Sequence, residues 1–188
     1  FTTKEGLSSN GVSWIFEDEE GNIWLATFDK GVSRYDGKTF TNYSTKDGLP
    51  DNNVQAIAQD RSGKLWFGSK LGIASYDGKT FTNFAGIAGR EFQNIRSIVE
   101  DQAGNLWFGG QSGVYRYDGK TGTMLTAKDG LLEDFVGSMI VDKAGGVWFG
   151  HPQERTDTQG GATRYDGKTF THFTQKEGLP SNNVYSTF

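Results

Sequence analysis

The side chains best suited to proton transfer or metal binding gather in one stretch of this 188-residue chain, where His151, Glu154 and Asp157 fall within seven positions. An imidazole beside two carboxylates could relay a proton or begin a metal site. A metal needs further ligands, and the other histidine, His172, stands well downstream in a strand-like run, so no metal and no cofactor is expected. With no cysteine, thiolate nucleophiles and disulfides are excluded. No Ser sits in a Gly-x-Ser-x-Gly elbow, and no Gly-rich loop leads into a helix. The Asp-x-x-Gly turns lack the run of oxygen ligands that calcium requires. No residue is therefore assigned as catalytic.

Recognition chemistry is better represented. Asn10, Asn52 with Asn53, Gln93 with Asn94, Asp134, and Asn182 with Asn183 recur at one phase of the chain. Amides both donate and accept hydrogen bonds, which suits a glycan or another small polar ligand. The plainer reading is that they cap turns and bond neighbouring loops. Two places break the pattern and add charge. One carries Arg90 and Arg96, and the other is the loop of His151, Glu154 and Arg155. Such loops carry function more often than the framework does, although a tolerated insertion explains the second equally well.

Composition narrows the partners. Twenty-three acidic residues against 19 basic ones, a net charge of -4, leave no cation excess to neutralise phosphates, so nucleic acid is not expected. No run approaches the roughly 20 apolar residues of a membrane helix, so this segment makes no membrane contact, and it carries no targeting signal. With 35% hydrophobic and 14% aromatic residues the chain can build a core, and 27 glycines imply many tight turns.

The elements that hold these residues repeat. Tyr-Asp-Gly-Lys begins at Tyr35, Tyr76, Tyr117 and Tyr165, and a Trp between apolar neighbours recurs at Trp24, Trp66, Trp107 and Trp148. Gly-Leu pairs at 6, 48, 130 and 178 share the period of 41 to 48 residues, with Gly89-Arg90 in the same slot of the third copy. Each copy reads as four short strands, A to D, rich in β-branched and aromatic residues. In the second copy they are 54–59, 65–69, 72–76 and 80–84. Asp-x-x-Gly turns join A to B, and Asp-Gly, the two-residue type I′ signal, joins C to D. Small meanders must stack to bury both faces. A period just above 40 with four strands predicts an all-β fold, a β-propeller of four-stranded antiparallel blades, rather than an open solenoid. The blades fall at about 12–43, 54–84, 95–125 and 136–173, and 184–188 reads as the innermost strand of a fifth. The Trp residues are expected in the core between blades.

Lys46-Asp47-Gly48-Leu49-Pro50-Asp51-Asn52-Asn53-Val54, followed by Asp60-Arg61-Ser62-Gly63-Lys64-Leu65-Trp66-Phe67-Gly68 and Tyr76-Asp77-Gly78-Lys79-Thr80-Phe81, resembles the two-component regulator propeller repeat. The resemblance implies a sensor region of a bacterial hybrid histidine kinase, hence an extracytoplasmic, non-enzymatic module that binds a ligand at the channel mouth. Related blades in streptogramin lyase-like proteins leave a lyase or hydrolase with a rim site near His151 as an alternative. A self-assembling structural segment without ligand is another.

Residues 1–16 and 173–188 occupy the same phase of the repeat. Four blades plus one strand imply either a larger ring, completed by further sequence or by a second copy in a homo-oligomer, or a four-blade ring with a frayed end.

Overall fold

A computed structural model describes residues 1–84, 92–153 and 159–185. It divides into two compact units, Phe1–Ile95 and Arg96–Phe188, each holding two four-stranded antiparallel meanders.

In the first unit, blade 1 consists of β1 (Val12–Glu17), β2 (Ile23–Thr27), β3 (Val32–Tyr35) and β4 (Phe40–Tyr43), and blade 2 of β5 (Val54–Gln59), β6 (Leu65–Ser69), β7 (Ile73–Tyr76) and β8 (Phe81–Phe84). In the second, blade 3 consists of β9 (Ser97–Glu100), β10 (Leu106–Gly110), β11 (Gly113–Tyr117) and β12 (Gly122–Leu125), and blade 4 of β13 (Ser138–Val141), β14 (Val147–His151), β15 (Gly161–Tyr165) and β16 (Phe170–Phe173). The observed strands of blade 2 start within one residue of those read from the sequence. β9 and β13 start two residues later than expected. Ile95 and Val136 instead turn their backbone N–H groups to the preceding blade, donating to the carbonyls of Ser69 (3.0 Å) and Gly110 (3.0 Å). Of the expected strand at 184–188, Val184 and Tyr185 carry no strand pairing, and the remainder lies outside the described residues.

Each A–B turn is held by its aspartate. Asp18 Oδ1 accepts the backbone N–H of Asn22 at 2.7 Å, and Oδ2 accepts the indole N–H of Trp24 at 2.7 Å. The indole bond recurs from Trp66 to Asp60 (2.7 Å), Trp107 to Asp101 (2.9 Å) and Trp148 to Asp142 (2.9 Å). A tryptophan can thus enter the core without stranding its donor. Burial pushes the carboxyls of Asp18 and Asp101 up, but the hydrogen bonds from Trp and Asn outweigh it and leave both below the ordinary range. In blade 4 the asparagine is replaced by Gly146, and Arg164 Nε donates to Asp142 Oδ2 instead, at 2.8 Å.

The C–D connections differ from the expected two-residue type I′ turn, which needs positive φ at both central residues. Gly37 has φ of 90°, but Asn94 is the sole non-glycine with positive φ among the described residues. Tyr35 pairs with Phe40, so the loop spans Asp36 to Thr39. Asp36 Oδ1 accepts the N–H groups of Lys38 (2.8 Å) and Thr39 (2.7 Å). The side chain, rather than a mirror-image backbone turn, reverses the chain, and the same loop recurs at Asp77, Asp118 and Asp166.

The core of each unit lies between its blades. Trp24 of blade 1, 1% exposed, meets Phe67 (5.4 Å between centroids) and Tyr76 (5.8 Å) of blade 2. Trp107 of blade 3 meets Phe149 (5.8 Å) and Tyr165 (5.9 Å) of blade 4 in the same way.

Candidate functional site

The connections from strand D to the next strand A contain a short 3-10 turn that the strand reading missed: Thr3–Glu5, Thr45–Asp47, Ala127–Asp129 and Gln175–Glu177. Each starts with a reciprocal cap. Thr174 N–H donates to Glu177 Oε2 (2.8 Å) while Thr174 Oγ1 accepts from Lys176 N–H (3.2 Å). The S/T-x-x-D/E pattern at 2–5, 44–47, 126–129 and 174–177 was the available signal.

These turns account for half of the recurring polar positions. Asn10, Asn52, Asp134 and Asn182 each accept, through the side-chain oxygen, the first backbone N–H of the 3-10 turn, from Thr3 (2.9 Å), Thr45 (2.9 Å), Ala127 (2.7 Å) and Gln175 (2.6 Å). Each of these bonds closes its own loop.

The other positions behave individually. Gln93 is exposed, and the Arg96 guanidinium lies 4.9 Å from the centroid of the Phe135 ring. Asn183 Oδ1 accepts the N–H of Gln153 at 2.8 Å. Arg90, Glu154 and Arg155, with Asp157, lie outside the described residues.

Asn53 and Asn94 are brought together in the first unit by a residue that sequence reasoning passed over. Gln55 Nε2 donates to Asn53 Oδ1 (3.0 Å) and reaches Asn94 Oδ1 (3.5 Å). All three amides are half-buried. Asn94 holds φ of 49°, the left-handed region that asparagine tolerates better than most residues. Its backbone N–H is tied to the Lys70 carbonyl at 2.9 Å, which fixes the side chain beside Gln55. Gln55 looked like an ordinary strand residue, and only the pairing of blade 2 with the following lead-in marks it.

His151 is placed differently from the rim position expected of it. The side chain is fully buried in β14. Nδ1 lies 2.9 Å from the Phe135 carbonyl, which can only accept, so Nδ1 carries the proton and Nε2 (2.9 Å) accepts from the Thr163 hydroxyl. That hydroxyl in turn accepts the Leu132 N–H at 3.1 Å. Both ring nitrogens are engaged, leaving neither to meet a substrate. Burial holds the imidazole below its ordinary pKa, outweighing the Phe135 carbonyl and the Glu133 carboxylate that favour the cation.

Stability should follow that shift. The unfolded chain takes up a proton near pH 6.5 that the folded chain refuses, so this contribution is complete above that pH and falls away as pH drops through it. Denaturant midpoints between pH 8 and 5 should decline for the native chain and decline less for His151→Thr, which carries the residue of blade 1 at that position. An unchanged slope in the variant would show that the ring is not held neutral.

On the A–B and C–D side, each unit has a cleft between its blades. One, of about 250 Å³, includes Asp18, Trp24, Arg34 and Tyr76. The other, of about 290 Å³, includes Asp101, Trp107, Arg116 and Tyr165. The guanidiniums lie over the indoles at 5.9 and 5.3 Å, so these walls are the inter-blade core seen from its open end. Among the described residues no group of three or more His, Cys, Asp or Glu could hold a metal, and no helix is long and apolar enough to cross a membrane.

Repeated four-stranded meanders, packed through a strand-B tryptophan, define an all-β protein of the β-propeller class. The family model of the two-component regulator propeller matches residues 6–29, 48–70 and 89–112. Among solved structures, the chain is similar to the extracellular domain of a putative hybrid two-component system of B. thetaiotaomicron (TM-score 0.77, 22% identity), covering 95% of this chain and 25% of that one. A second such domain from the same organism matches with TM-score 0.74 and 19% identity over 95% of this chain and 24% of that one. The chain thus spans about a quarter of these relatives. Virginiamycin B lyase from Staphylococcus aureus shares the fold more distantly (TM-score 0.66, 17% identity, 89% of this chain and 57% of that one). No curated protein matches the sequence.

Proposed function

We propose that this chain is a non-enzymatic, ligand-recognising segment of an extracytoplasmic sensor propeller, and that its ligand is a glycan or small polar molecule held by the amides of Asn53, Gln55 and Asn94. The amide cluster carries this reading. Three half-buried amides from two separate stretches converge there. Closing the loop is the work of Asn52, whose oxygen serves the 3-10 turn. Amide groups held by the backbone present donors and acceptors at little entropic cost, which favours hydroxyl-rich neutral ligands over ions. The likeness to extracellular domains of two-component systems supports the sensor role and the extracytoplasmic location. A lyase or hydrolase built on His151 would first have to open a ring bonded on both sides.

Thermal-shift screening against a panel of oligosaccharides and small polar molecules tests the proposal, because a ligand that binds only the folded state raises its melting temperature. A hit should disappear in Gln55→Ala while the melting temperature of the unliganded variant falls by only about 1–6 °C, the cost of one lost hydrogen bond of roughly 0.5–1.5 kcal/mol. A ligand whose shift survives Gln55→Ala would place recognition elsewhere. Conversion of that ligand to product would instead favour an enzyme.

A further inference from the structure

In blades 1, 3 and 4 an arginine stands directly across from the strand-B tryptophan, Arg34 from Trp24, Arg116 from Trp107 and Arg164 from Trp148, and the three copies have different partners. Arg164 Nε donates to Asp142 Oδ2 at 2.8 Å, and Arg34 Nη2 donates to Asn22 Oδ1 at 3.0 Å. Arg116 makes neither bond, and its Nε is buried without a partner among the described residues. Its place is set by the Trp107 ring, 5.3 Å away, rather than by a counter-charge.

Asn105 is the cause. Blade 4 has Gly146 at that position, where a Cβ would stand 2.4 Å from Arg164 Nη2 and 2.6 Å from its Cζ. A side chain there therefore bars the guanidinium from the turn aspartate. Asn105 also takes the aspartate for itself: Nδ2 donates to both Asp101 oxygens (3.0 and 2.8 Å) and the backbone N–H to Oδ1 (2.9 Å), while Trp107 Nε1 holds Oδ2 (2.9 Å). Asp101 is satisfied by neutral donors, and the charge of Arg116 is left over.

That charge faces a cleft lying wholly within the second unit. Its volume of about 290 Å³ is at the lower end of the roughly 300–1,000 Å³ of small-ligand sites. Arg116 is half-buried and lines the cleft with Gln102, Tyr165 and the Ala144–Gly145 backbone. With Nε covered, the guanidinium offers its two Nη groups, an end-on fork that matches the two oxygens of a carboxylate. Asp101, the one carboxylate lining this cleft among the described residues, favours a singly charged guest over a dianion such as phosphate. The cleft of the first unit is different, because Asp18, Glu20 and Asp77 line it beside Arg34. Three carboxylates around one guanidinium repel an anion.

We propose that the cleft between blades 3 and 4 binds a small monocarboxylate through Arg116, and that its counterpart between blades 1 and 2 does not. The site is separate from the Asn53, Gln55 and Asn94 amides, which belong to the first unit, so either can fail without the other.

Titrating the 188-residue chain with sodium acetate and with sodium glucuronate at constant ionic strength tests this by proton–nitrogen correlation spectra. The Arg116 Nε–H and the backbone N–H groups of Ala144 and Gly145 should shift saturably in the millimolar range with both ligands, and should stay in place with glucose and with chloride. Equal affinities would assign the site to free organic acids, and a tighter glucuronate would assign it to sugar acids. Arg116→Lys keeps the charge but loses the fork, and should weaken binding about tenfold or more with an unchanged circular dichroism spectrum. Asn105→Gly gives blade 3 the turn of blade 4, so Arg116 should pair with Asp101 and binding should vanish with the arginine still present. Arg34→Lys should bind as the native chain does. The proposal is overturned by the absence of a saturable shift with either carboxylate, by tighter binding of inorganic phosphate than of acetate, or by native affinity in Arg116→Lys. If Arg116→Lys loses its native spectrum, Asn105→Gly decides, and binding that persists there overturns the assignment to Arg116.

Discussion

Trp107→Ala should destabilise the second unit by about 3–5 kcal/mol, the range for removing a large aromatic side chain from a close-packed core. The indole is 1% exposed, lies between Phe149 and Tyr165, has the Arg116 guanidinium 5.3 Å from its centroid, and donates to Asp101. Nothing nearby can collapse into the space without pulling blades 3 and 4 together. For a chain of this size each kcal/mol corresponds to roughly 2–4 °C, so calorimetry should show a transition lowered by about 6–20 °C. Trp107→Phe separates the two contributions. It keeps most of the ring contacts and loses only the bond to Asp101, whose Oδ2 still accepts Asn105 Nδ2 at 2.8 Å, so its cost should be much smaller. Trp14→Ala is the control, since Trp14 is 45% exposed. Equal effects from Trp14→Ala and Trp107→Ala would refute the strand-B tryptophan as the joint between blades.

Gly68→Ala should cost about 1–3 kcal/mol although it adds a single methyl group. A Cβ there would stand 2.5 Å from Ile95 Cγ2, 2.9 Å from Ile95 Cβ and 3.0 Å from the Ile95 carbonyl oxygen. Ile95 is itself buried and bonded through its N–H to Ser69, so the side chain cannot swing away while the backbone stays. Gly68 therefore exists for close approach, not for an unusual backbone angle. Ile95→Ala opens a cavity when made alone, but it should relieve the clash when combined with Gly68→Ala. The double variant should lose less than the sum of the two, by a coupling of about 0.5–3 kcal/mol. Strict additivity in urea titrations would mean that the glycine serves some other purpose.

The strand order, the blade period and the burial of Trp24, Trp66 and Trp107 were legible because repetition converts a weak local signal into a strong one. A four-residue strand read once is ambiguous, and the same strand read four times at one spacing is not. Two local features were equally available and went unread. Asp and Trp stand six residues apart in every copy, at 18 and 24, 60 and 66, 101 and 107, and 142 and 148, which is the spacing of the indole bond. The Asp-Gly dipeptide suggested a type I′ turn, but Asp36 has a carboxylate able to hold two following N–H groups, and that bond selects a four-residue loop.

The proposed site was half legible. Phase in the repeat selects Asn53 and Asn94, but the same criterion also selects Asn10, Asn52, Asp134 and Asn182, which fasten 3-10 turns. Sequence position cannot separate an amide that closes its own loop from one aimed at a neighbour.

By itself the sequence determined the repeating unit, its strands, the turn aspartates and the tryptophan that each blade contributes, because these depend on contacts within about 40 residues and recur. The tertiary structure decided what neighbours make of identical parts. It buried His151 between a carbonyl and a hydroxyl, and gathered Gln55 with Asn53 and Asn94. The physical reason is that burial and hydrogen-bond pairing belong to surfaces meeting across space, and a repeat encodes both halves of a joint without saying which halves will meet.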